Sequence, residues 1–277
     1  MPFPFFHRNK KENHKLEREL RNAFKNNELQ VYLQPRVDPN TNKLKSAEAL
    51  LRWEHPILGI VSPNEFIPIA EDIGLINDIG DWVLEEVCKY LADWERMQLR
   101  LIPISVNIVG QRFLRSDCFT TITSILKQYN VDPKYIELEI TESSILNNEK
   151  IVVNTLNQLN EAGIKVALDD FGTGYSSLSH IRDFPINTIK IDSSFIQQIN
   201  YKKDVEVIIK SLIFMAKELE LNIVAEGVET LAQYNFLCKL ECNEIQGYLF
   251  SKPIPEYKFQ RLLNQSKLDP IVHFSLT

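Results

Sequence analysis

Apolar positions recur along this chain with two different periods. Leu16, Leu20, Ala23 and Phe24 stand at i, i+4, i+7 and i+8, which predicts a charged helix over 10–27 with one apolar face. Ile76, Ile79, Val83, Val87, Leu91 and Trp94 form a longer stripe and predict a helix over 76–97. Weaker helical patterns cover 63–70, 116–129, 147–162, a short stretch from 177, 204–219, 231–240 and 256–263. Between them lie short apolar runs at 28–37, 44–53, 101–107, 135–140, 164–169, 188–191, 222–225 and 244–247. Most of these runs are continuously apolar, as strands buried on both faces should be.

The first two strands are separated only by Asp38-Pro39-Asn40-Thr41-Asn42-Lys43. A parallel crossover needs about a dozen residues or more, so these two strands should pair antiparallel. After them, strand and helix alternate. Eight strands with this alternation predict an α/β fold, a TIM-like (βα)8 barrel with the first strand antiparallel to the rest. No linker divides it. The expected organisation is a tail and connector helix over 1–27, a barrel over 28–265 and a C-terminal tail over 266–277.

Barrels of this type carry their chemistry at the C-terminal ends of the strands. Those ends read Glu48, Asn107, Glu139, Asp169 with Asp170, Lys190, Glu226 and Gln246. Any one of them could be a surface polar group, and Asp169-Asp170 alone could be a solvated acidic turn. Side chains alternate along a strand, so these two aspartates reach one point only at a strand tip. Five carboxylates at one mouth would repel strongly without cations. Oxygen donors with a carboxamide and no histidine suit hard divalent ions, Mg²⁺ or Mn²⁺, rather than Zn²⁺. Of the 5 histidines, His55 comes nearest a tip and is expected to play a structural hydrogen-bonding role.

Gly172, Gly174, Gly227 and Gly247 all fall close to the tips and are expected to permit tight turns and close approach to a ligand. Arg52 suits a phosphate or a guanine edge by forked hydrogen bonding, or a salt bridge to a neighbouring helix.

Composition narrows the partners. A net charge of −6 gives no electrostatic reason to expect duplex nucleic acid. The 4 cysteines lack a Cys-x-x-Cys pair and read as reduced packing residues. No apolar run approaches the length of a membrane span. The N-terminal Met-Pro-Phe-Pro-Phe-Phe precedes its basic cluster, the reverse of a secretory signal, so the expected location is cytoplasmic.

The run Glu48-Ala49-Leu50-Leu51-Arg52-Trp53 resembles the signature of the EAL-domain cyclic di-GMP phosphodiesterases. The resemblance continues through Gln34-Pro35, Phe66-Ile67-Pro68-Ile69-Ala70-Glu71, Asn107 and Glu139-Ile140-Thr141-Glu142. It extends through Asp169-Asp170-Phe171-Gly172-Thr173-Gly174-Tyr175-Ser176, Lys190-Ile191-Asp192, Ala225-Glu226-Gly227-Val228-Glu229 and the stretch from Gln246 to Pro253. It spans about residues 16–265.

The resemblance implies hydrolysis of cyclic di-GMP to the linear dinucleotide pGpG, which lowers a bacterial second messenger, with two Mg²⁺ or Mn²⁺ ions. It implies Glu48, Asn107, Glu139 and Asp169 as ligands of one ion, Asp169 as a bridge, and Asp170 as ligand of the second. Glu226 matches a general base that also, or instead, holds the second ion, and Lys190 would position the attacking water. Gln34, Leu50, Arg52, Asp192, Glu229, Gln246 and Pro253 match substrate-contact or supporting positions. Glu142 matches a brace of the loop Phe171-Gly172-Thr173-Gly174, which in the family couples the metal site to a homodimer interface. The alternative is a receptor that binds cyclic di-GMP without hydrolysing it. Two departures stand beside the site: Ile108 is followed by Val109 where serine is usual, and Glu241-Cys242-Asn243 replaces the usual Gly-Cys-Asp.

Overall fold

In the computed structural model the described residues are 10–141, 149–172, 184–265 and 267–268. The chain opens with helix α1 (Lys10–Lys25) and strands β1 (Leu29–Asp38), β2 (Lys43–His55) and β3 (Gly59–Val61). Helices α2 (Pro63–Asp72) and α3 (Ile76–Arg96), strand β4 (Ile104–Asn107), and helices α4 (Gly110–Phe113) and α5 (Cys118–Gln128) follow. Next come β5 (Ile136–Thr141), α6 (Glu149–Glu161), β6 (Lys165–Phe171), β7 (Thr188–Ile191), α7 (Ser193–Ile196) and α8 (Lys203–Glu218). The last elements are β8 (Asn222–Ala225), α9 (Leu231–Lys239), β9 (Glu244–Gln246), β10 (Ile254–Pro255) and α10 (Glu256–Leu263).

The strands close in the order β1-β2-β4-β5-β6-β7-β8-β9 and back to β1. β1 is antiparallel to both its barrel neighbours, β2 and β9. Every other pairing around the ring is parallel. This is the expected TIM-like barrel with a reversed first strand. The tight turn forced the reversal: Asp38 Oδ1 accepts the Asn40 and Thr41 amides, which closes the β1–β2 hairpin.

Two strands, β3 and β10, and the one-turn helices α4 and α7 escaped the hydrophobic pattern because they are too short to show a period. β3 folds back on β2, with Trp53 opposite Val61, and β10 pairs with β1, with Tyr32 opposite Pro255. The strand expected from 101 begins instead at Ile104. Pro103 has no N–H to give a ladder, although its carbonyl still accepts the Ala47 amide at 3.0 Å. The short helix expected from 177 lies outside the described residues.

The apolar core sits between the strands and the helices. The whole α3 stripe, Ile76, Ile79, Val83, Val87, Leu91 and Trp94, is buried, as are Leu16, Leu20 and Ala23 of α1. Trp53 meets Phe66 of α2 edge to face at 5.7 Å. His55 is buried at the root of the β2–β3 turn, where its Nδ1 accepts the Ile57 and Leu58 amides, each at 3.1 Å. That is a structural role. With apolar side chains directed outward to the helices, the alternate residues of each strand point into the barrel, and many of those are polar.

Candidate functional site

The inward side chains form two levels. The upper one is built from the predicted strand tips. Lys190 of β7 is buried, and its Nζ lies 2.5 Å from Glu139 Oε2, 2.7 Å from Glu226 Oε1 and 2.9 Å from Asp169 Oδ1. Glu48 Oε1 is 3.7 Å away. One ammonium thus gathers four carboxylates from β2, β5, β6 and the end of β8. Asn107 joins them by donating its Nδ2 to Glu48 Oε1 at 2.9 Å. Gln246 donates to Glu48 Oε2 at 2.6 Å and to Gln34 Oε1 at 2.9 Å. Gln34 in turn donates to the Ser251 carbonyl, fixing the loop that leads to Pro253.

Asp169 and Asp170 answer the alternation problem with a backbone irregularity. The β6–β7 register shifts between Leu168 and Phe171, and Asp170 adopts φ 55°. A bulge carrying a left-handed residue re-aims a side chain. Asp169 is buried at the cluster, and its Oδ1 also accepts the Asp170 amide at 2.9 Å. Asp170 stays exposed, yet partial burial and then the Asp169 charge raise its carboxyl above the usual range.

The electrostatics differ within the cluster. Burial would raise Glu139, but Lys190 and Arg36 outweigh it and hold it at about 2. Burial pushes Glu226 up to about 8; Lys190 opposes that shift while Asp169, Glu48 and Glu139 add to it. Glu48 is raised by burial and by Glu139 against the pull of Lys190 and Arg36. Neighbouring carboxylates with such different environments can play different roles.

A lower level lies beneath, and the sequence reading missed it. Arg36, fully buried, donates to Gln246 Oε1 at 2.7 Å, to Glu137 Oε2 at 3.2 Å and to Glu139 Oε1. Thr188 donates to Glu137 Oε1 at 2.6 Å, Ser46 to Glu244 Oε2, and Asn222 to Glu244 Oε1 at 2.8 Å. The missed signal is a period of two. Ser46, Glu137, Thr188 and Glu244 each stand two residues before a tip residue, and Arg36 stands two after Gln34 on the reversed strand.

Of the other expected site residues, Leu50 and Arg52 line a cavity of about 540 Å³ that includes Asn107, Glu139 and Thr141 and runs toward α2, α3 and α4. Arg52 donates to the Leu51 carbonyl at 2.8 Å, and its guanidinium lies 5.9 Å over the Tyr32 ring, with no salt bridge to a helix among the described residues. Asp192 caps α7 by accepting the Ser194 amide at 3.0 Å. Glu229 is exposed, and its amide is held by Gln233, the partner of Thr230 in a capping box that opens α9. Phe171 is buried, while Glu142, Thr173 and Gly174 lie outside the described residues.

Gly172 and Gly227 make the expected tight turns, at φ 97° and 66°, and two of the glycines also lie close against neighbouring chain. A Cβ on Gly247 would come within 2.1 Å of the Val228 carbonyl oxygen, and one on Gly227 within 2.6 Å of Ser193 Cβ. At both positions the protein's own chain makes the close approach.

The donor chemistry fits divalent cations, since the upper level offers only carboxylates and carboxamides and its carboxylates outnumber Lys190 and Arg36. Among the described residues, however, no three Asp, Glu, His or Cys side chains are already closed around one point as a metal-ligand group. Lys190 holds that centre.

A closed mixed barrel with an acidic, lysine-centred mouth defines the class. The family model described as the EAL domain matches residues 17–253, and the chain belongs to the EAL domain family. It is 36% identical over 255 residues to the bifunctional diguanylate cyclase/cyclic di-GMP phosphodiesterase MucR of Pseudomonas aeruginosa, covering 89% of this chain and 36% of that protein. It is also 36% identical over 246 residues to the cyclic di-GMP phosphodiesterase PdeR of Escherichia coli, covering 89% of this chain and 37% of that protein. The chain therefore spans about a third of the length of these relatives. The solved structure of the PaMucR phosphodiesterase in complex with c-di-GMP superposes with a TM-score of 0.85 at 36% identity, covering 88% of this chain and 99% of that one.

Proposed function

We propose that this chain is a cyclic di-GMP phosphodiesterase that yields the linear dinucleotide pGpG. The observation that carries the reading is the gathering of Glu48, Glu139, Asp169 and Glu226 around Lys190 at the mouth of the barrel. The adjoining cavity, with Leu50 and Arg52 in its wall, offers room for a nucleotide beside them. Relatives named as cyclic di-GMP phosphodiesterases support the same reading.

Glu48, Asn107, Glu139 and Asp169 would hold one divalent ion, and Asp169, Asp170 and Glu226 a second, Mg²⁺ or Mn²⁺. Such ions supply charge stabilisation for the attacking and leaving oxygens of an in-line displacement. Glu226, whose carboxylate stands at the mouth 2.7 Å from the Lys190 ammonium, would accept a proton from the attacking water in its ionised form, which a bound cation would favour. As the water oxygen bonds to phosphorus, the P–O3′ bond breaks and the 3′ oxygen takes a proton from solvent, matching the one that Glu226 took from the attacking water and returns to solvent. Lys190 would position the attacking water and offset phosphate charge. Arg52, Gln34, Asp192, Glu229, Gln246 and Pro253 would frame the substrate. The reading places the reaction in the cytoplasm and in a homodimer formed through the loop after Asp170, which size-exclusion chromatography with light scattering tests directly. Among the described residues no helix is long and apolar enough to cross a membrane.

The test of function is incubation with cyclic di-GMP and Mn²⁺ followed by chromatography. Linear product that vanishes with chelator and in Glu48→Ala supports the reading. Bound but intact ligand would make the chain a receptor.

A further inference from the structure

Above the mouth, β1 and β2 continue as a two-stranded wall whose two faces differ. One face, with Leu29, Val31, Leu33, Ala49 and Trp53, is buried against helices. On the other, exposure rises with height: Gln34 and Glu48 are buried, Tyr32, Leu50 and Arg52 half-buried, and Gln30 and Glu54 exposed. The register places Gln34 opposite Glu48, Tyr32 opposite Leu50 and Gln30 opposite Arg52, so these side chains share the site-facing surface. Tyr32 stands at mid-height, across from a residue that lines the cavity.

Its ring is held from two sides. The hydroxyl donates to Glu54 Oε1 at 2.9 Å, and the Arg52 guanidinium sits 5.9 Å from the ring centroid. Arg52 is itself tied to the Leu51 carbonyl. A half-exposed aromatic ring fixed by its neighbours loses little freedom when a flat partner lies on it. Tyr257, 62% exposed, follows two residues after Pro255, the strand partner of Tyr32, and Lys252 lies 5.8 Å over the Tyr248 ring.

We propose that Tyr32 is a base-stacking platform that sets affinity for the dinucleotide, receiving the face of one purine while the phosphodiester lies at the carboxylates below. This rests on the cyclic di-GMP reading above. Stacking on a ring face tolerates any base, so Tyr32 governs affinity rather than the choice of guanine over adenine.

The test compares Tyr32→Leu, Tyr32→Phe and Tyr32→Trp in the full chain, using cyclic di-GMP, cyclic di-AMP and the base-free diester methyl p-nitrophenyl phosphate. Tyr32→Leu should raise KM for cyclic di-GMP about tenfold with kcat within about twofold, the range base–aromatic stacking provides. Tyr32→Phe should stay near wild type, the base-free diester should be unaffected, and the preference between the cyclic dinucleotides should not move. Tyr32→Trp, which guards against misfolding of the leucine variant, should gain a fluorescence component quenched by cyclic di-GMP. The platform is overturned by an unchanged KM in Tyr32→Leu, by Tyr32→Phe losing as much as Tyr32→Leu, by equal losses on the base-free diester, or by an unquenched Tyr32→Trp. If the wild type binds cyclic di-GMP without consuming it, Kd replaces KM with the same expectations. A wild type that does not bind it at all removes the functional reading and the platform together.

Discussion

The two levels inside the barrel are made of similar residues and behave oppositely. In the lower level, Glu137 receives Arg36 on one oxygen and Thr188 on the other, and Glu244 receives Asn222 and Ser46. In the upper level, Glu139, Asp169 and Glu226 converge on the one ammonium of Lys190. A buried carboxylate with its own donors is a finished structural element, whereas carboxylates sharing a single cation remain receptive to another. Arg36 links the two levels, since it bonds Glu137 below and Glu139 above.

The largest effect should fall on the upper level. Glu226→Gln should leave cyclic di-GMP binding largely intact while lowering kcat by about 10²–10⁴-fold, measured by steady-state turnover; near-normal kcat would remove the base role. The strongest challenge to the lower level is Arg36→Met. Removing one partner of a buried ion pair typically costs about 3–5 kcal/mol, so chemical denaturation should show a loss of that order.

A pH series separates the levels next. Glu226 holds its proton to about 8 in the folded chain against the ordinary 4.5, so the native state binds more protons between those values. Stability in chelator should therefore fall by roughly a few kcal/mol as pH rises from about 4.5 through about 8, then level off. Glu139, held at about 2, acts in the opposite window, with stability lost as pH falls below 4.5. Thermal melts across this range, with and without Mn²⁺, check both signs; the alkaline loss should shrink with the cation present. The smallest effect belongs to Thr188→Val, which removes one donor to Glu137. It should cost about 1 kcal/mol with turnover within about twofold, and a large loss of turnover would mean the lower level is not merely structural.

Much of this site was legible in sequence because each tip residue ends a recognisable apolar run. Asp169 follows a continuous hydrophobic stretch, Glu48, Glu139 and Lys190 close shorter apolar-rich strands, and the barrel's architecture brings such ends together. The lower level was hidden for a specific reason. Glu137 and Thr188 interrupt or begin apolar runs, and a strand pattern does not say whether its polar face meets water or a closed barrel interior. Arg36 was obscured further by lying on the one reversed strand, where the tip is the beginning rather than the end. The turns at Gly172 and Gly227 were legible, but only the packed chain shows that Gly247 faces the Val228 backbone.

The sequence by itself determined the eight-strand count, the reversed first strand and the residues at the strand ends. Those are local consequences of hydrophobic period and of a connection too short to cross over. Only the tertiary structure decided that Lys190 sits at the centre of four carboxylates, that a bulge with Asp170 at φ 55° breaks the strand alternation there, and that Arg36 joins both levels. Closure of the ring sets these facts. It brings side chains from β1, β2, β5, β7 and β9, far apart in sequence, within hydrogen-bond reach, and no local pattern encodes that meeting.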